Sequence, residues 1–406
     1  MLLAQRSFVG ETAIDSVYCK DIRSVFLTRD GIELEPPILH IGANEKLMLR
    51  FDELGPQTSN FRYRIRHCNL DWTVDDLEPY EYINGFEDGP IENYQFSFTT
   101  MQDYVNYHQL IPTSYSTLTL SGNYRLEVYP QDEPDSIVLT RRFYVVENIV
   151  DLELTQDIPH NASGNISTHQ EINLSVTPRK GAMLNIPPQY LTVKIQQNNR
   201  ADLINIVPFT GYSGNAMQFR WTEQNLFPGG NCFRYFDISN TRTAMYNVQE
   251  IREFGGETMA FLRPLENRSR SVFSLDKSLN GGMKINIFDR NNPQVEADYI
   301  WVYFSLPMEH PFLDGQVYIV GDFNDWGLNE NNRMEYQPQY KAYTHRMHLK
   351  QGYYSYQLLF LPQGEKTGIT SRLEGDHFAT PNNYTAYVYL RLPNERFDRL
   401  IGVTRK

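Results

Sequence analysis

Between Phe61 and Cys68 the chain reads FRYRIRHC, and large apolar residues alternate there with arginine. A period of two puts Phe61, Tyr63 and Ile65 on one face and Arg62, Arg64 and Arg66 on the other. That is the pattern of a half-buried strand and not of a helix. The apolar face belongs in a core. The arginines are either solvated or form a basic patch that docks a partner, and the pattern admits both. Similar short runs occupy Lys46–Phe51, Tyr124–Tyr129, Ile137–Val146, Glu171–Val176, Leu191–Ile195, Tyr299–Leu306 and Gln316–Val320, separated by Gly, Pro, Asn and Asp. Long helical periodicity is almost absent. The 27 Tyr and 23 Phe favour strands. The expected class is all-β, built of sandwiches.

A chain of 406 residues exceeds one ordinary core. A local pattern suggests how it divides. SGNYRLEV (Ser121–Val128) and QGYYSYQL (Gln351–Leu358) both place a glycine two residues before a tyrosine that opens a strand. In immunoglobulin-like sandwiches such a tyrosine bonds back to nearby backbone at the corner of a late strand. Tyr124 and Tyr354 are the expected corner residues. Each would be followed by a last strand pair, at Ile137–Val146 and at Thr385–Leu392. PGGNCFRYFDI (Pro228–Ile238) is a weaker echo, with Cys232 in place of the tyrosine. Three consecutive immunoglobulin-like domains follow as the expectation, over residues 1–147, 148–294 and 295–406. The stretch Arg252–Lys277 shows no clear period.

Composition excludes some roles. A net charge of -12 argues against nucleic acid as the main partner, and it reads as spread along the chain for solubility. No run approaches the 18 apolar residues of a membrane helix. Cys19, Cys68 and Cys232 lack metal-site spacing, so no metal is expected on them, while a Cys19–Cys68 disulfide is open. Catalytic signatures are missing: no H-E-x-x-H, no G-x-S-x-G and no P-loop. His67 and Cys68 are neighbours on one strand and point to opposite faces, so they cannot pair as base and nucleophile. Asp71–Glu81 supplies acids without the glycine turn of a calcium loop. The opening MLLAQRSF looks like the tail of a secretory signal whose basic region is missing, so export is expected.

VYIVGDFNDW (Val317–Trp326), with GYYSYQLLF downstream, resembles the early-set immunoglobulin-like modules of glycogen-branching enzymes and kinase glycogen-binding domains. In the binding members of that group the tryptophan stacks on a glucose ring, which makes Trp326 the candidate carbohydrate-binding residue. The chain departs from them in two ways. Gln357 stands where they have lysine, and no tryptophan follows Trp326. The turn is therefore expected to mark a fold more than a ligand.

A second resemblance covers most of the chain. YRIRHCNLDWTVDDLEPYEYINGF (Tyr63–Phe86), IENYQFSFTTMQDYVNYHQLIP (Ile91–Pro112), SGNYRLEVY and VLTRRFYVVE (Val138–Glu147) occur in the order found in the plug protein of the type IX secretion system, a Bacteroidetes envelope family. EGDHFATPNNYTAYVYLR near the C-terminus is also similar. The resemblance implies a non-enzymatic periplasmic protein that occludes the periplasmic side of an outer-membrane β-barrel translocon, without membrane insertion, cofactor or catalysis. An envelope carbohydrate-binding protein is the alternative, and a hydrolase accessory or cryptic enzyme a further one. Asp71 is expected to bond a local backbone N–H. Trp72, Asn93, Tyr94 and Ser121–Asn123 are expected to be core and turn chemistry.

Overall fold

The computed structural model describes residues 15–160, 166–179, 187–276 and 278–406. The apolar start of the chain lies outside them. The fold is all-β, three sandwich-like units each around its own core.

In the first unit, Phe61–Cys68 lies inside a sheet ordered Ser16–Val17, Leu139–Val146, Gly122–Pro130, Phe61–Cys68, Asp88–Pro90. The facing sheet runs Ile22–Arg29, Leu47–Leu54, Tyr104–Ile111, Asn93–Phe96. Phe61, Tyr63 and Ile65 enter the shared core, as the alternation requires. Two of the three strand arginines, Arg62 and Arg64, face carboxylates. Arg64 and Arg125 both bond Glu127, a carboxylate buried on the neighbouring strand, and Arg62 bonds Asp88 at 2.8 Å. Tyr124 donates its hydroxyl to the Leu120 carbonyl at 2.8 Å, and Tyr354 to that of Lys350 at 2.5 Å, so both are corner tyrosines. Gly122 is fixed by its setting. Its φ is +144°, and a Cβ there would meet His67 Nε2 at 2.5 Å.

All three cysteines are free. Cys68 shares strand parity with the arginines and points away from the first core, whereas Cys19 packs against that core. The open Cys19–Cys68 bridge is thus excluded by strand geometry. Burial pushes the Cys68 thiol up to about 12.

The C-terminal strand does not stay with Tyr354. Tyr384–Leu390 pairs with Leu191–Gln197 of the middle unit, and Arg399–Arg405 continues that sheet. Every residue of Tyr384–Leu390 is buried. Tyr384, Ala386, Val388 and Leu390 fill the middle core, while Tyr387 and Tyr389 face the first unit. A strand apolar on both faces needs cover on both, and this position between two units supplies it. The Cys232 echo is corrected too. Arg234–Asp237 pairs with Gly352–Pro362 in the third unit and forms no corner of a middle one.

The third unit is one nine-stranded sheet folded over on itself. The turn-over is Arg333–Gln337. Its first residues pair with Gly315–Val320 and its last with Ala342–Lys350. Val248–Phe254 and Glu257–Leu262 form a hairpin through the stretch that showed no period.

Candidate functional site

Trp326 follows the strand Gly315–Val320 and a short turn, Asp322–Asn324. Asn324 shapes that turn. Its Oδ1 accepts the Gly321 N–H at 3.1 Å and its Nδ2 donates to the Ile319 carbonyl at 2.8 Å. Asp325 and Trp326 both adopt left-handed backbone, with φ of +55°. The turn swings the indole inward. Its Nε1 donates to Asp322 Oδ1 at 2.6 Å, and its ring meets Phe233 edge-on at 5.8 Å. A Cβ on Gly281 would lie 2.2 Å from the indole Cη2, so glycine is required beneath the ring. Trp326 is 6% exposed. A ring so covered offers no face to a sugar, which removes the basis for carbohydrate stacking there.

The same turn helps wall a cavity of about 230 Å³ where the three units meet. Arg141 from the first unit reaches across to Asp325 at 3.2 Å, and its guanidinium also donates to the carbonyls of Thr140 and Val25. Tyr144 of the first unit stacks on Tyr387 of the middle one at 4.6 Å. Burial lifts Asp322 to about 6, against the opposing Trp326 hydrogen bond. Burial also lifts Asp325 to about 6, against the opposing charge of Arg141. Among the described residues no group of three His, Cys, Asp or Glu is placed to hold a metal.

Several motif residues of the first unit lie at its seam with the middle one. His67 bonds Asp75 through Nδ1 and the Ser121 carbonyl through Nε2. Asp71 Oδ1 accepts the Thr73 N–H at 3.0 Å, the local turn expected of it. Trp72 is buried beneath the Arg142 guanidinium, 4.9 Å away, and edge-on to Tyr144. Asn123 donates to the Asn69 carbonyl and accepts the Tyr389 hydroxyl at 2.7 Å. The Leu70 N–H bonds Asp398 at 2.8 Å, and Arg399 pairs with Glu147 at 2.6 Å. Asn93 and Tyr94 depart from the expected turn chemistry: they lie on an exposed edge strand.

The first and third units are joined by a buried pair. Asp52 accepts from Lys350 Nζ at 2.6 Å, Tyr299 Oη at 2.6 Å and Asn106 Nδ2 at 2.7 Å. Burial holds the Lys350 ammonium below its ordinary value, with Asp52 opposing. Tyr104 adds a hydroxyl bond to the Ala297 carbonyl at 2.8 Å. Arg200 links the middle and third units through the Gly368 carbonyl at 2.7 Å. Isolated sequence motifs did not disclose these locks, because the partners that join one unit to another lie more than a hundred residues apart.

Residues 22–147 match the family described as the type 9 secretion system plug protein 1st domain. The crystal structure of a hypothetical protein from Parabacteroides merdae ATCC 43184 superposes with a TM-score of 0.93 at 31% identity, covering 97% of this chain and 98% of that one. The chain belongs to the type 9 secretion system plug protein family. A Salmonella alpha-2-macroglobulin mutant aligns over 98% of this chain and 24% of its own at 11% identity, with a TM-score of 0.17 that carries no argument. No curated protein matches. Membership of the plug family associates this chain with a secretion translocon of the cell envelope. No helix among its described residues is long and apolar enough to cross a membrane. In this plug-family chain His67, Trp72 and Asn123 lie at the seam.

Proposed function

We propose that this chain is a non-enzymatic periplasmic protein that binds the periplasmic side of an outer-membrane β-barrel translocon and occludes it. The observation that carries this reading is the plug-family match over residues 22–147, on a chain of which 97% superposes on one relative. The interlocks support a steric mechanism. A body that blocks a pore must resist being pulled apart, and buried polar locks join all three units. Such a role uses surface area and rigidity, and it needs an interface of standard size or larger. The burial of Trp326 takes away the main support for a carbohydrate-binding role. The test is affinity capture from the native envelope under mild detergent. A giant outer-membrane barrel protein is expected to co-purify in near-stoichiometric amount. Recovery of the chain alone, from cells that contain the translocon, would overturn the reading.

A further inference from the structure

The net charge of -12 is far from evenly spread. Between Arg66 and Arg125 there is no lysine or arginine, and the stretch holds nine acids: Asp71, Asp75, Asp76, Glu78, Glu81, Glu87, Asp88, Glu92 and Asp103. A formal charge of -9 therefore sits on residues 67–124, leaving -3 for all the rest. The topology places the later part of this stretch, with Glu87, Asp88 and Glu92, on one flank, while Asp75, Asp76 and Glu81 turn toward His67 and Arg396 at the seam with the middle unit. Asp88–Pro90 is the last strand of one sheet of the first unit, and Asn93–Phe96 is the last strand of the other. The chain thus borders the same open side of both sheets.

That flank is also aromatic. Tyr94, Phe96 and Phe98 are 46%, 54% and 64% exposed. Tyr94 and Phe96 meet edge-on at 5.8 Å. Basic residues from elsewhere reach part of the stretch: Arg62 pairs with Asp88, Arg396 with Asp76 and Glu81, and Arg290 bonds Thr99. Among the described residues no ion pair reaches Glu87, Glu92 or Asp103, and Glu92, two residues before Tyr94, and Asp103 are both exposed. Edge strands are commonly protected by lysine, proline or a bulge. Asp88–Pro90 ends in a proline. Asn93–Phe96 has neither proline nor lysine, and its ladder with Tyr104–Ile111 runs without a register shift.

We infer that this flank is the docking surface for an extended, lysine- or arginine-bearing segment of the translocon, which adds as a strand beside Asn93–Phe96. The inference rests on the plug reading and specifies its contact face. Backbone hydrogen bonds would hold the added strand. Carboxylates and open ring faces together recognise cationic side chains, the rings through their negative quadrupole.

The test is site-specific photocrosslinking in the native cells, with the photoreactive group placed in the full chain at Tyr94 or Phe96. Positions Tyr212 and Phe254, exposed on the other two units, serve as controls. The expected result is a crosslink from Tyr94 and Phe96 to the barrel protein, mapped to a peptide containing lysine or arginine. In parallel, Glu92→Lys combined with Phe96→Ser should reduce captured barrel at least ten-fold, with an unchanged melting temperature. Barrel crosslinks from Tyr212 or Phe254 alone would overturn the flank and leave the plug reading standing. A flank crosslink only to a second copy of this chain or to another protein would overturn the inference. No crosslink from any position would count against both.

Discussion

Trp326 is held by a carboxylate above and a glycine below, and both contacts lead to measurable consequences. Trp326→Ala removes a large side chain from a closed pocket, so it should cost about 3–5 kcal/mol of unfolding free energy, read by urea denaturation. The intact protein should show no retention on starch or glycogen, since the ring face is covered. Asp322 gives a pH signature. Its carboxyl is raised to about 6 from an ordinary value of 3.8, so the folded protein binds a proton that the unfolded chain releases. Its stabilising effect is complete below the unfolded value and is lost as pH rises through about 6. Asp322→Asn keeps an oxygen for the Trp326 indole and removes the buried charge. It should raise the unfolding free energy at pH 7.5 by up to about 3 kcal/mol, with the gain vanishing near pH 4. A gain of equal size at both pH values would refute this account of Asp322. The sequence exposed the turn and its glycine but not which way the indole faces. That orientation depends on Phe233 and Gly281, far away in the chain.

Strands were legible where one face is apolar and the other polar, as in Phe61–Cys68, because the period carries the burial. The two corner tyrosines were legible for a similar reason: glycine and tyrosine two residues apart describe a local backbone geometry. Strand pairing was less accessible. Tyr384–Leu390 reads as any late strand, and only its two apolar faces hint that it lies between units. The Asp52–Lys350 lock shows the same limit, since neither residue stands out in its own strand. Breaking that lock is strongly unfavourable because it strands a buried charge. Lys350→Ala should therefore destabilise by about 3–5 kcal/mol, whereas Asp52→Leu with Lys350→Met should restore much of the loss. Urea unfolding of the two variants checks both directions. A double variant as weak as the single one would show that packing, rather than charge, joins these strands.

At the scale of the whole molecule, buried polar contacts join the three sandwiches, and motif residues of the first unit supply those to the middle one. His67, Trp72 and Asn123 sit where the first unit meets the middle one, so substituting them should loosen the assembly of units before it unfolds any one core. Trp72→Ala should make the seam strands exchange amide hydrogen faster than the strands of the first core, measured by hydrogen–deuterium exchange. Locked units and an acidic aromatic flank are what a removable obstruction requires: stiffness in the body and adhesion on one side. The central claim is occlusion, and pore conductance reads it directly. Purified translocon in a planar bilayer should conduct ions when alone. Adding this chain on the periplasmic side should close most of that conductance at saturating concentration. Binding of the chain with conductance unchanged would contradict the account.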